Sequence, residues 1–307
     1  MMNLTEMIKI YKMTQPKLKE YLYNELIKLY GENNVVKTNE SDGFVFANGT
    51  FNVLLVAHLD TVHEKSPQTF MYDENDEILS SPEGIGGDDR NGVIAILEII
   101  KKYKCSVLFC ETEETGGIGA QCFTDNIDTL RHTFNLDFNY IIEFDRANSN
   151  DAVFYDCDNP EFESFITKNY FKTAAGSFSD ISIIAPALGI AAVNLSTAYY
   201  CPHTKNEYIV VSEMKTIIQE ACNILARTTE ADKFEYIEAE NWGWSYGFKN
   251  HNREESYYII EYEDQTGETE WFDTWAVSPE EAIGKFCIET LLPYTNIIDI
   301  SDETYIM

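Results

Sequence analysis

The chain has 307 residues, 44% hydrophobic and 13% aromatic, enough for one large α/β domain or one domain plus a small appendage, and global disorder is excluded. Lys and Arg number 22 against 52 Asp and Glu, and a net charge of −30 repels a phosphate backbone, which argues against nucleic acid as a partner. The plain reading of that charge is a solvated acidic surface; the sharper one is a preference for cationic substrates or metals, and composition does not choose between them.

No stretch approaches the roughly 20 apolar residues that span a bilayer, so no membrane partner is expected. Met1–Lys12 lacks a basic segment followed by an apolar run, the mark of a secretory signal. The seven cysteines (105, 110, 122, 157, 201, 222 and 287) are odd in number and lack CxxC spacing, against both a disulfide framework and a thiolate zinc site. A cytoplasmic location is the default expectation.

In chain order, Leu4–Tyr11 and Pro16–Tyr30 have helical character. In the second, Leu18, Tyr21, Leu22, Leu26 and Leu29 recur at helical spacing before Gly31 stops it. Short extended runs follow at Val35–Lys37, Gly43–Ala47 and Val53–Ala57, the last continuously apolar like a strand buried on both faces. Asp89–Tyr103 reads as a helix, Cys105–Cys110 and Tyr140–Phe144 as buried strands, and Ile181–Leu188 as a helix. Ile190–Leu195 reads as a further strand and Ser212–Arg227 as an amphipathic helix. This alternation predicts a doubly wound, largely parallel sheet flanked by helices over residues 1–231.

Residues 232–307 change character, with 18 Asp and Glu against 4 Lys and Arg. Tyr257–Tyr262 and Glu268–Trp275 flank Asp264-Gln265-Thr266-Gly267 as a hairpin would, and Pro279–Leu291 has helical character. The expectation is a small acidic α+β appendage joined through Asn241–Phe248.

Five clusters carry chemistry. His58-Leu59-Asp60 directly follows a buried strand, where open α/β sheets collect ligands. A two-residue step in extended chain puts both side chains on one side, so Asp60 can orient the His58 ring. Gly84-Ile85-Gly86-Gly87-Asp88-Asp89 leads into a helix, and its glycines let the backbone come close to something. Capping by Asp88 or Asp89 is the bland alternative, and Asp89–Arg90 is a candidate structural ion pair. In Glu111-Thr112-Glu113-Glu114-Thr115-Gly116-Gly117, adjacent side chains point opposite ways, which suits one carboxylate on a metal and its neighbour aimed at the reacting water. Glu111 is read as part of a solvated loop. Asp145 ends the Tyr140–Phe144 run, and His203 lies in Tyr199–Glu207. Two histidines and several carboxylates without thiolate suit zinc, cobalt or manganese in a hydrolytic site.

The order His58-Leu59-Asp60-Thr61-Val62, Gly86-Gly87-Asp88-Asp89-Arg90-Asn91-Gly92, Glu113-Glu114-Thr115-Gly116-Gly117, Asp145, Ser179-Asp180, Gly189-Ile190, Asn194-Leu195 and His203-Thr204 with Asn206-Glu207 resembles the co-catalytic zinc peptidases. That superfamily includes peptidase T, carboxypeptidase G, aminoacylase, and the leucyl and glutamyl aminopeptidases. The resemblance spans about residues 20–230. It implies two divalent ions bridged by Asp88, with His58 and Asp145 completing one position and Glu114 and His203 the other. It further implies Glu113 as general base, Asp60 as the group orienting His58, and a cis peptide at Asp88–Asp89. Only 29 residues separate His58 from Asp88 and 57 separate Asp145 from His203, too few for the lid or inserted domain of some members.

The implied activity is hydrolysis of peptide bonds, first as an aminopeptidase or exopeptidase on small peptides. The alternatives are an amidase or deacylase acting on N-acyl amino acids, and a non-catalytic binding protein on a peptidase scaffold. Residues 232–307 are open to two roles, substrate anchoring or homo-oligomer formation. Tyr200 is weighed as an oxyanion donor against a wall aromatic, and His63 as a substrate contact against a loop histidine. Surface positions are expected for His132 and His251. Ser177-Phe178-Ser179-Asp180 resembles a substrate-side loop of the family, with capping of the Ile181 helix as the alternative for Asp180. Glu207 is expected to support the His203 loop rather than bind metal.

Overall fold

The computed structural model describes residues 2–39, 41–239, 256–264, 269–276, 285–286, 290 and 297–302. The chain divides into two compact units, Met1–Gly247 and Phe248–Met307.

The first unit opens with α1 (Leu4–Tyr11), closed at its start by a reciprocal Asn3–Glu6 capping box, and α2 (Gln15–Tyr30), which Gly31 ends. Then come β1 (Val35–Lys37), β2 (Phe44–Ala47), β3 (Phe51–His58), β4 (Met71–Asp73), β5 (Ile78–Ser80) and α3 (Gly87–Ile99). They are followed by β6 (Cys105–Cys110), α4 (Ile118–Asp125), α5 (Ile127–Arg131), β7 (Tyr140–Arg146), β8 (Asp151–Val153) and α6 (Pro160–Ile166). The unit closes with β9 (Lys172–Thr173), α7 (Ile181–Leu188), β10 (Ala192–Ser196), β11 (Tyr199–Tyr200), β12 (Tyr208–Val210) and α8 (Val211–Arg227).

The main sheet has eight strands in the order β1-β2-β6-β3-β7-β10-β8-β9. Its centre, β6-β3-β7-β10, is parallel, while β2 on β6 and β8 on β10 run antiparallel. Side chains alternate between two cores. Val53, Leu55 and Ala57 face the core shared with α1, α2, α3, α6 and α8, whereas Leu54 and Val56 face that shared with α4, α5 and α7. Both faces are covered, which is why Val53–Ala57 reads as an unbroken apolar run and the neighbouring strands are mostly apolar. Each buried Leu or Val side chain contributes roughly 1.5–3 kcal/mol of transfer free energy. The doubly wound α/β architecture is therefore present, with antiparallel edges added.

A second, four-stranded sheet, β11-β12-β5-β4, was not expected from the sequence. Its strands have two or three residues each, too short to show a period. After α8, residues 234–239 return along the first unit. Phe234 bonds to Asn139 and Ala191, and Ala239 donates to Asp156.

The second unit contains β13 (Ser256–Glu263), β14 (Thr269–Ala276) and β15 (Ile297–Asp302), antiparallel in the order β14-β13-β15 around Tyr258, Ile260 and Phe286. The expected hairpin forms. Its turn residues 265–267, the Asn241–Phe248 connection, His251 and most of the expected Pro279–Leu291 helix lie outside the described residues. Among the described residues no helix is long and apolar enough to cross a membrane.

Candidate metal centre

The centre forms where the strand order reverses. From β3 the chain crosses to β6 on one side and then to β7 on the other, so three adjacent parallel strands end together. His58 is the last residue of β3 and pairs with Cys110 at the end of β6. Val56 pairs with Glu143, so the same register two residues on brings His58 beside Asp145 on β7. The Glu111–Gly117 turn leaves β6 at the same edge. The turn into α3 supplies Asp88, and the β11–β12 loop supplies His203.

Asp88 stands between two groups. Its Oδ1 lies 3.0 Å from His58 Nε2, which is also 3.4 Å from Asp145 Oδ1. Its Oδ2 lies 3.1 Å from His203 Nε2, which is also 3.3 Å from Glu114 Oε2. All five residues that the resemblance nominated as ligands thus meet, and the two oxygens of Asp88 face different imidazole–carboxylate pairs. Asp60 Oδ1 is 3.3 Å from His58 Nδ1, and its carboxylate also accepts from the amides of Glu113 and Glu114 at 3.0 and 3.1 Å. One side chain therefore orients His58 and fixes the turn carrying both glutamates. The peptide between Asp88 and Asp89 is cis.

Electrostatics follow from crowding. Burial, then the neighbouring Asp88, pushes Asp145 up to about 7, and burial with Asp145, Asp180 and Glu114 pushes Glu113 up to about 9 despite His58. For His203, burial favours the neutral ring, but Asp88 and Glu114 prevail and raise it to about 11. Burial opposes ionisation of Asp60 too, yet its bonds to His58 and the two amides hold it down to about 2. Concentrated buried negative charge of this kind is offset by divalent cations. The side-chain atoms of His58, Asp88 and Glu114, and likewise of His58, Asp89 and Asp145, lie close enough to hold an ion, within 4.8 Å of one another. Glu114 Oε1 is buried with no hydrogen-bond partner, a vacant lone pair a metal would use. The nitrogen and oxygen donors suit zinc, cobalt or manganese.

Asp89 is a different case. Its Oδ1 accepts from Gly92 N at 2.9 Å and its Oδ2 from His58 N at 3.1 Å. It caps the regular part of α3 and ties that helix to β3. The candidate ion pair with Arg90 is replaced by bonds from that guanidinium to the carbonyls of Leu59 and Met13.

Other expectations need correction. Glu111 is 3% exposed rather than solvated, and its carboxylate takes Lys19 Nζ at 2.6 Å, Gly43 N at 3.0 Å and Gln15 Nε2 at 3.1 Å. Asp180 precedes α7 without capping it and is fully buried, which raises its carboxyl to about 6. Of the two roles weighed for Tyr200, that of a wall aromatic fits, since it donates its hydroxyl to Glu213 and stacks on Tyr208. His132 is exposed, as expected.

Sequence reasoning missed Glu143, and it had Asn194 only within a motif, without a role. Asn194 Oδ1 accepts from Asp145 N at 2.9 Å, and Ser179 Oγ reaches both Asp145 Oδ2, at 3.2 Å, and Glu143. A signal for Glu143 existed: a charge inside an apolar strand, two residues before Asp145 and on the same face.

No protein-family model and no curated protein matches the chain. Solved structures do. A tripeptidase from Staphylococcus aureus superposes with a TM-score of 0.54 at 15% identity, covering 73% of this chain and 98% of that one. An aminopeptidase from the archaeon Desulfurococcus kamchatkensis gives 0.55 at 13% identity, covering 74% and 95%. A Zn-dependent exopeptidase from Parabacteroides distasonis gives 0.50 at 15% identity, covering 73% and 95%. Together with the element order above, these matches show that the chain has the fold of the zinc exopeptidases.

Proposed function

We propose that the protein is a two-metal hydrolase of peptide bonds, acting as an aminopeptidase on small peptides. The observation that carries this reading is Asp88, whose two oxygens address His58 with Asp145 and His203 with Glu114. Those five residues would hold two divalent ions, zinc first, with cobalt or manganese able to replace it. When bound, the ions supply Lewis acidity that activates water and polarises the scissile carbonyl.

The chain's own groups do the rest. Asp60 keeps the His58 ring in one tautomer by facing its Nδ1, leaving Nε2 for the ligand position. Glu113, next to Glu114 and near enough to His58, Asp145 and Asp180 to feel their charges, takes the proton of the attacking water and returns it to the leaving amine. The 57 residues between Asp145 and His203 form β8, α6, β9, α7, β10 and β11 of the same unit, which supports a lid-free exopeptidase.

The test is mass spectrometry of free and N-acylated peptides incubated with zinc- or cobalt-loaded protein, against a chelated sample and Glu113→Ala. Stepwise loss of N-terminal residues, abolished in both controls, is the expected outcome. Release of acyl groups alone would move the assignment to an N-acyl amino acid deacylase. Two bound ions with no turnover of any substrate would favour a binding role.

A further inference from the structure

The glycine-rich approach to Asp88 and the pair His63–Glu207 have no part in the chemistry above, yet they fit each other. Glu207 lies four residues beyond His203 in the β11–β12 loop and is 1% exposed. Its Oε2 accepts from Gly86 N at 2.8 Å and lies 3.1 Å from His63 Nε2, while its Oε1 accepts from Asp88 N at 3.0 Å. Side chains would spoil this approach. A Cβ at Gly84 would sit 2.2 Å from the His63 ring, and one at Gly87 would sit 2.9 Å from Tyr199 Cβ and 3.1 Å from Glu207 Oε1. Gly84 and Gly86 also have φ of +84° and +67°, which other residues rarely adopt. What the bare backbone approaches is this carboxylate and its imidazole.

We infer that Glu207, steadied by His63, is a positioning residue that locks the Asp88 turn to the His203 loop and sets the affinity of the metal position between Asp88, Glu114 and His203. The inference rests on the two-metal reading above. The same loop holds Asp88 twice, its amide through Glu207 and its Oδ2 through His203. Both positions share Asp88, but His58 and Asp145 are placed by strand register whereas His203 is carried by the braced loop itself. Loss of the brace therefore acts more strongly on the position of Glu114 and His203 than on the other.

The experiment measures bound zinc and cobalt per full-length chain across a series of buffered free-metal concentrations, with the cobalt absorption spectrum as a second readout. Thermal melting of the chelated proteins serves as the folding control. Glu207→Gln replaces one of the two accepting oxygens by an NH2 group, so either Gly86 N or Asp88 N loses its acceptor. It is expected to weaken the ion of Glu114 and His203 by ~10–100-fold and the ion of His58 and Asp145 by clearly less. His63→Gln is expected to shift the same ion in the same direction by less, with the chelated protein melting as the parent does. Parental affinity for both ions in Glu207→Gln would overturn the inference. So would equal weakening of both ions together with a lower melting temperature of the chelated protein, which is the mark of a general structural role. A parent chain that binds fewer than two ions refutes the two-metal reading itself, and is recognised before any variant is compared.

Discussion

The two halves of the candidate centre are built by different means. His58 and Asp145 sit on adjacent strands of the parallel sheet, with side chains 1% and 9% exposed, and backbone pairing places them side by side. Glu114 and His203 sit on loops, 11% and 32% exposed, and His203 needs a left-handed backbone at φ 61°. The first half is held by main-chain hydrogen bonds and two packed cores. The second depends on side chains reaching across the chain: Asp60 to the Glu113–Glu114 turn and Glu207 to the Asp88 turn. Register fixes the backbone of a strand ligand, with Asn194 on the Asp145 amide, and leaves Asp60 and Ser179 to orient the side chains. A loop ligand needs buried polar partners to fix its backbone as well.

Asp88 joins the halves, and its removal should have the largest effect. Asp88→Ala is expected to lose both ions and reduce hydrolysis to background, read by metal content and peptide turnover. Retention of one ion at parental affinity would break the comparison, because Asp88 would then belong to one half only.

Glu113→Gln comes next. It should keep both ions and lower kcat by ~10²–10⁴-fold, the usual contribution of a general base. Loss of an ion in this variant would place Glu113 among the ligands instead.

Chelation should then lower the melting temperature. An ion present at about 1,000 times its Kd stabilises a fold by roughly 4 kcal/mol, and its removal also restores repulsion among the buried carboxylates. An unchanged melting temperature would show that neither half binds metal tightly.

The smallest effect is expected for Ser179→Ala, which frees Asp145 Oδ2 from its hydroxyl partner. It should weaken the strand-end ion by up to ~10-fold, less than the loss expected for the loop ion in Glu207→Gln, because the sheet still holds the backbone of Asp145. Equal losses in the two variants would erase the distinction between the halves.

Much of the first half was legible from single segments. The Val53–Ala57 run is apolar throughout, and Cys105–Cys110 is apolar but for Ser106, because both sheet faces are covered, and a polar residue at the end of such a run stands at a ligand-collecting edge. His58, Asp60 and Asp145 follow from that rule. The second sheet was not legible, since its short strands carry no period and exist only by pairing with one another.

The roles of the acidic residues were legible only in part. Glu111, Glu113 and Glu114 are near neighbours in the chain, yet Glu111 is consumed by Lys19, 92 positions away, and the other two hang on Asp60. Asp88 and Asp89 are adjacent, yet one faces both imidazoles and the other accepts backbone amides. Composition, apolar runs and motif order were enough to specify the main sheet, its buried strands and the residues that meet at the candidate centre, because those depend on local periodicity and residue chemistry. Which carboxylate faces an imidazole and which accepts an amide was decided by the tertiary structure, because identical oxygens take their roles from the donors that distant segments bring to them.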